Sequence, residues 1–453
     1  MSNGTDAVGP SRNRDSDDAL SPPPGNPRFP GVDGVRWLAA SSIVVYHLAQ
    51  SSGVGQGQTG PAALFAAGVG VFFVVSGFLL YRPFVTARVL GAPSIRYLPF
   101  MWRRLLRIVP LFWFVLTFIY LTAAWSEVTT REEFFAGAPW WQYYLFGQVY
   151  TSDASLGAIG QAWTLDVELS FYLLLPAWAA ALNWLRRFGV GLRWEVGALL
   201  AAALASFHFA NGVAASDDQY LLRTLPGTVY LFVPGMILAL LSVEQQRRPD
   251  WRPAAVMDRY SSFGWIIAIT VLVAAPLVGS PTFTTIGGVL IAIAVPLPAL
   301  FTRPTSLPFR MLLLPAVAWG GLVSYGIYLW HRQIIFEMQG LGSVAGSPLG
   351  FAATFMVAMV LVTGVAAVTY RLIERPALRL KRRTFSGSPE EFGQSGPQPA
   401  GDLSPDEGDL RSCDLACGSY EVQPSTCGSG AEQEQVDPNH EEIGGICDRS
   451  RGQ

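Results

Sequence analysis

The chain has 453 residues, of which 51% are hydrophobic and only 14% charged, with a formal net charge of −2 and a mean hydropathy of +0.33. Soluble domains carry about a quarter charged residues, so this composition excludes an ordinary soluble fold. The near-zero net charge gives no reason to expect a nucleic-acid partner. Residues 1–30 are polar and run through SPPPGNP without a cleavable signal peptide, which predicts a disordered cytoplasmic arm. Ten apolar runs follow, at about 35–49, 62–81, 108–125, 163–182, 196–212, 222–243, 263–278, 283–301, 318–338 and 351–373. Each is read as a membrane-spanning helix. The expected fold class is therefore an all-α integral membrane protein of about ten transmembrane helices, with a membrane domain over 31–380.

The first run, VDGVRWLAASSIVVYHLAQ, holds Arg36 and His47. Ionisable groups inside a membrane helix are costly and mark function by default. Eleven residues make about three turns, so both side chains share one helix face, about 16 Å apart along the axis. The plain alternative is a snorkelling arginine and an imidazole at the far end. The aromatic segment 139–150 is expected at the membrane interface.

Arginines cluster after the even-numbered runs: Arg82 to Arg107, Arg186 to Arg193, Arg247 to Arg259, Arg303 with Arg310, and Arg371 to Arg383. The alternate loops hold only Arg131, Arg223 and Arg332. The positive-inside rule then places both termini in the cytoplasm. From 384 to 453 the composition turns to Gly, Ser, Pro, Glu and Asp, which predicts a disordered cytoplasmic tail. All four cysteines, Cys413, Cys417, Cys427 and Cys447, lie there with His440, but no C-x2-C pair occurs, so no metal site is expected. The membrane domain has no cysteine, which excludes a cysteine nucleophile in it.

Six motifs in order resemble the acyltransferase-3 family of membrane acyltransferases. Arg36 and His47 match its basic-x10-His pair, and GVGVFFVVSGFLL (68–80) its second-helix signature. WRRLLRIVPLFW (102–113) contains Arg104-x-x-Arg107, resembling an RxxR motif. AWTLDVELSFYLLLP (162–176), SYGIYLWH (324–331) and LIERP (372–376) match the remaining blocks. The resemblance implies acyl transfer, often of acetyl, from cytoplasmic acyl-CoA to a hydroxyl of a sugar, cell-surface glycan or glycosylated metabolite. It implies acyl-CoA as co-substrate, no bound cofactor, and a multi-pass inner (plasma) membrane location. Two departures bear on acceptor choice: Asp166 adds an acid to the Trp163–Glu168 block, and Arg332-Gln333 follows His331 where an aromatic and a proline are common. Some relatives add a soluble hydrolase-like domain; about 70 polar residues cannot build one, so no second catalytic module is expected.

The residues suit that chemistry. His47, Glu168 and His331 come from runs one, four and nine, which places all three in the outer half of the membrane. A neutral His47 would take the acceptor's proton, and Glu168 beside it would orient and charge-stabilise the ring. Arg36, Arg104 and Arg107 would bind the phosphates of CoA, or merely set topology. Tyr172, Ser324 and Tyr328 either donate to a developing oxyanion or bond neighbouring backbone. Asp166 serves the acceptor or the packing, and Trp163 is expected as an interface anchor. Three rival readings are a transporter or flippase for a glycan or lipid-linked substrate, an acyltransferase acting on amines, and an inactive scaffold. No internal repeat favours transport, and the intact His47 and Glu168 argue against a scaffold.

Overall fold

The computed structural model describes residues 29–383 except 54–60, 124–133, 136, 152–153, 190, 217, 249–255, 257–258, 302–305 and 341–346. Residues 1–28 of the arm predicted over 1–30, the tail and its cysteines lie outside the described residues. Among the described residues there is no strand. The long helices are α1 Val32–Ser52, α2 Ala67–Leu90, α3 Tyr97–Thr122, α4 Trp163–Leu185, α5 Leu192–Ala214, α6 Leu225–Arg247, α7 Gly264–Val278, α8 Pro281–Ala294, α9 Pro315–Gly340 and α10 Pro348–Thr369. They match the ten predicted runs one for one.

Eight of the described helical spans are long and apolar enough to cross a bilayer. The two that fall short of that apolarity, α1 and α9, carry the paired histidines and pack side by side. They spend apolar character on Arg36, His47, His331 and Arg332. The other main pairings are α2 with α6, α5 with α6, α7 with α8, and α9 with α10. Small residues allow the close crossings, as in other membrane bundles. Gly77 and Gly235 face each other's helix backbone across α2 and α6, and Gly321 lies on the α1 backbone at Asp33, where a Cβ would collide. Phe232 stacks on Phe73 at 4.5 Å and Phe171 at 4.2 Å between α2, α4 and α6. Ile269, Val273 and Leu277 of α7 point outward, as a lipid solvent permits.

Helix ends follow local chemistry. Ser347 caps α10 through the Gly350 N–H at 3.1 Å, with Pro348 at the first helical position. Gly53, Gly91 and Gly279 close α1, α2 and α7 in the left-handed region. Two boundaries differ from the sequence reading and move arginines. α2 runs on through Pro83, so Arg82 and Arg88 belong to the helix and not to a loop. Arg82 bonds Ser242 and Gln246 of α6, and Arg88 forms a buried ion pair with Glu195 of α5. α3 begins at Tyr97, so the Arg104-x-x-Arg107 pair sits inside the helix, on one face. Beyond α10 the helix takes a π turn, Tyr370–Glu374, before Arg375–Arg383. Pro376 has no N–H to continue the ordinary ladder, and the turn absorbs the mismatch while burying Glu374.

Candidate active site

Two cavities meet inside the bundle. The narrower, about 100 Å³, is lined by Arg36, Ser76, Arg104, Arg107, Glu168, Tyr172, Tyr325 and Tyr328 among others. The wider, about 1110 Å³, holds His47 with Tyr46, Gln161, Trp163, Arg223 and Arg332. Among the described residues only Val69 and Tyr328 are common to both linings, so they form the partition.

The narrow cavity is organised by Glu168. Its carboxylate accepts hydrogen bonds from Ser76 of α2 at 2.9 Å and from Tyr172, one turn along α4, at 2.5 Å. The Arg104 guanidinium lies 5.7 Å from the Phe100 ring centroid and 6.0 Å from that of Tyr172. Arg36 pairs with Asp33 at 3.6 Å. Glu374, brought inward by the π turn, is within electrostatic reach of Arg36 and Arg107. Acids of this chain thus answer the three arginines.

The partition is fixed from both sides. The Tyr328 hydroxyl donates to the Gln161 carbonyl at 2.8 Å and lies 2.7 Å from the Thr164 hydroxyl. The Gln161 amide returns a bond to the Leu329 carbonyl at 2.8 Å. These bonds tie α9 to the start of α4.

Across the partition, His331 Nε2 lies 3.0 Å from His47 Nδ1, and the rings are 4.9 Å apart. The protons follow from the partners. A carbonyl only accepts, so His331 Nδ1, 2.7 Å from the Tyr328 oxygen, carries a proton. In the neutral ring its Nε2 is then an acceptor. His47 Nδ1 also faces the Ile43 carbonyl at 3.2 Å, so it is the donor to both. His47 Nε2 keeps its lone pair and has no protein partner among the described residues. A neutral imidazole with one free lone pair in a cavity is what a general base requires.

Several placements correct the sequence reading. Glu168 is not the partner of His47: the two line different cavities, and a second imidazole takes the expected place of the carboxylate. Helix direction put both in one half of the membrane, but Glu168 faces α2 and α3 and His47 faces α9. Ser324 is fully buried, donates to Gly321 of its own helix at 2.8 Å and lines neither cavity. Asp166 also lines neither; it is 1% exposed and lies beside the Gln148 side chain and the Val149 backbone. Arg36, Arg104, Arg107 and Tyr172 gather as a group in the narrow cavity, and Trp163 lines the wide one. Ser76, Gln161 and Glu374 were missed as site residues. Glu374 carried a signal in its place in LIERP, and Ser76 in its place in GVGVFFVVSGFLL; Gln161 carried none.

The model of the family Acyl_transf_3, described as an acyltransferase domain, matches residues 29–371. The chain belongs to the acyltransferase-3 family. Curated relatives include "O-acetyltransferase OatA" of Staphylococcus aureus (strain NCTC 8325 / PS 47), 26% identical over 398 residues, covering 82% of this chain and 60% of that protein. "Peptidoglycan O-acetyltransferase OatA" of Listeria monocytogenes is 26% identical over 365 residues, covering 77% and 55%. "Putative peptidoglycan O-acetyltransferase YrhL" of Bacillus subtilis (strain 168) is 25% identical over 379 residues, covering 79% and 56%. The acyltransferase-3 chain therefore spans little more than half the length of these relatives. No solved structure matches it. The family match does not favour the transporter reading.

Proposed function

We propose that this protein moves an acyl group, acetyl first among the candidates, from acyl-CoA to a hydroxyl of a sugar or cell-surface glycan across the plasma membrane. The observation that carries the reading is the unpartnered Nε2 of His47, held in one tautomer by His331 and set at a wide cavity. The names of the relatives, O-acetyltransferases and peptidoglycan O-acetyltransferases, support acetyl and glycan. The donor side rests on Arg104 and Arg107, within the first three turns of α3 at the arginine-rich end. By the positive-inside rule that end is cytoplasmic. The narrow cavity is read as the seat of the acyl-thioester tip of the donor. The phosphates of CoA then stay nearer the mouth, while the extended arm runs inward toward Tyr328. Over the roughly 16 Å from Arg36 to His47 such an arm has the required reach.

In the proposed reaction the acceptor oxygen attacks the thioester carbonyl as His47 Nε2 takes its proton. The carbon–sulfur bond breaks, the imidazolium returns that proton to the departing thiolate, and an ester and free CoA result. His331 accepts from His47 Nδ1–H and so stabilises the charge while the proton is held. Purified protein incubated with labelled acetyl-CoA and a panel of glycans and glycosides is the test. Stoichiometric ester formation and thiol release, lost in His47→Ala, are expected. No labelled product on any hydroxyl acceptor, or transfer to amines alone, would overturn the reading.

A further inference from the structure

The wide cavity contains two of the three arginines that the sequence places against the charge bias of the chain. Arg332 follows His331 on α9, and Arg223 ends the short helix Gln219–Arg223 that leads into α6. Both line the cavity of His47, and both are within electrostatic reach of the Tyr46 hydroxyl, so they converge on one region. Arg332 also acts electrostatically on His47 itself.

Their partners are few. Arg223 makes one long hydrogen bond, 3.4 Å to the Ser155 hydroxyl. Arg332 makes none among the described residues, and its guanidinium sits 5.1 Å from the Phe336 ring centroid. Neither has a carboxylate within ion-pair distance, and no Asp or Glu lines this cavity, among the described residues. A half-buried guanidinium without a counter-charge is costly, more so at membrane depth. The chain nonetheless makes room for one: Gly160 lies directly under the Arg332 guanidinium, where a Cβ would collide with it.

We propose that Arg223 and Arg332 hold an anionic group of the acceptor, a carboxylate or a phosphate carried by the sugar, while a hydroxyl of the same molecule meets His47. The acceptor class is then acidic sugars: uronic acids or sugar phosphates. Guanidinium forks bind both anions by paired hydrogen bonds, and Arg makes five donors available with no acceptor of its own. The inference rests on the acyl-transfer reading for the word acceptor, but its binding claim stands apart from turnover.

The test is therefore a binding measurement on the full-length protein in neutral detergent at fixed ionic strength. Thermal-shift titrations would compare methyl glucoside, methyl glucuronide, glucose 1-phosphate and inorganic phosphate. At least one acidic sugar should bind roughly tenfold or more tightly than the glucoside, as charge-assisted bonds allow. Which acidic sugar does so assigns carboxylate or phosphate. Arg332→Gln and Arg223→Gln should each remove most of that preference, and Arg332→Lys should keep part of it. Gly160→Ala, which leaves both arginines in the chain but pushes one guanidinium aside, should weaken the acidic sugars selectively. Equal binding of neutral and acidic sugars would overturn the proposal. So would a preference that survives the double arginine variant, or inorganic phosphate binding as tightly as either acidic sugar. Failure of acyl transfer to every acceptor, with the preference intact, would instead count against the acyl-transfer reading.

Discussion

The two cavities share Tyr328 and differ in how their charges are met. Around Glu168, three arginines face acids of the same chain: Asp33 at 3.6 Å from Arg36, Glu168 in the lining, and Glu374 delivered by the π turn. Around His47, two arginines face none among the described residues. The first arrangement sets acids of the chain among its arginines and keeps a narrow shape. The second is wide and, among the described residues, short of negative charge. On the proposed function, a site whose charges are met within the chain would suit the one constant substrate, the donor. On the same proposal, a site left unmatched would take its counter-charge from what enters, and so select the acceptor. The boundary between them is a side chain whose hydroxyl is held by backbone, which makes the division a property of the fold.

The largest effect should come from the unit formed by the histidines. His47→Ala is expected to lower turnover by about 10²–10⁴-fold, the usual contribution of a general base. His331→Ala should lose much of the same effect, because His47 would no longer be held in one tautomer. The double variant should be little worse than His47→Ala alone, since the residues act together. Losses that multiply would mean that His331 does not work through His47.

The same cycle drawn across the partition should come out the other way. Glu168→Gln removes the acceptor that Ser76 and Tyr172 share, and should reduce turnover by disturbing the narrow cavity. Combined with His47→Ala, measured above the detection limit with a slow assay, the free-energy costs should add to within about 0.5 kcal/mol. A strong coupling would return Glu168 to the side of His47.

Arg104→Ala and Arg107→Ala come next. Each should raise the KM for acyl-CoA by about tenfold while moving the acceptor KM less, with Arg→Lys rescuing partly because lysine has no planar fork. Steady-state kinetics with each substrate varied in turn would decide. An acceptor KM that rises equally would dissolve the division of labour between the cavities.

Much of this architecture was legible in the sequence because membrane helices announce themselves by length and apolarity, and the ten runs became ten helices. The functional residues were legible as types and motifs: ionisable groups inside apolar runs have few reasons to be there. What could not be read was rotation. Helix direction gives depth, and depth alone brought Glu168 toward His47. Which face each presents depends on packing by small residues such as Gly77, Gly235 and Gly321, whose partners are far away in the chain. Helix ends were obscured where arginines and prolines interrupt the apolar pattern, as at Arg82-Pro83 and along Arg103 to Arg107. In both cases the interior supplies ring faces and polar partners, so the helix continues.

The smallest effect should be Ser324→Ala, and it tests the same lesson from the other side. Ser324 belongs to a motif that also contains Tyr328 and His331, so membership in the motif alone would assign it to the reaction. Its hydroxyl is instead spent on the Gly321 carbonyl one turn back, in a fully buried spot outside both linings. That carbonyl belongs to the helix, and removing the hydroxyl deletes both a donor and the need to satisfy it. Hydrogen bonds of this kind in membrane bundles contribute on the order of 0.6 kcal/mol. The small side chain matters more, because α9 lies close against α1 here through Gly321, and alanine preserves that closeness. Turnover within about twofold of the parent, and a thermal midpoint lowered by no more than a few degrees, are the expected results. A large loss of turnover with an unchanged midpoint would place the Ser324 hydroxyl in the chemistry and the helix face of α9 on the wrong side of this account.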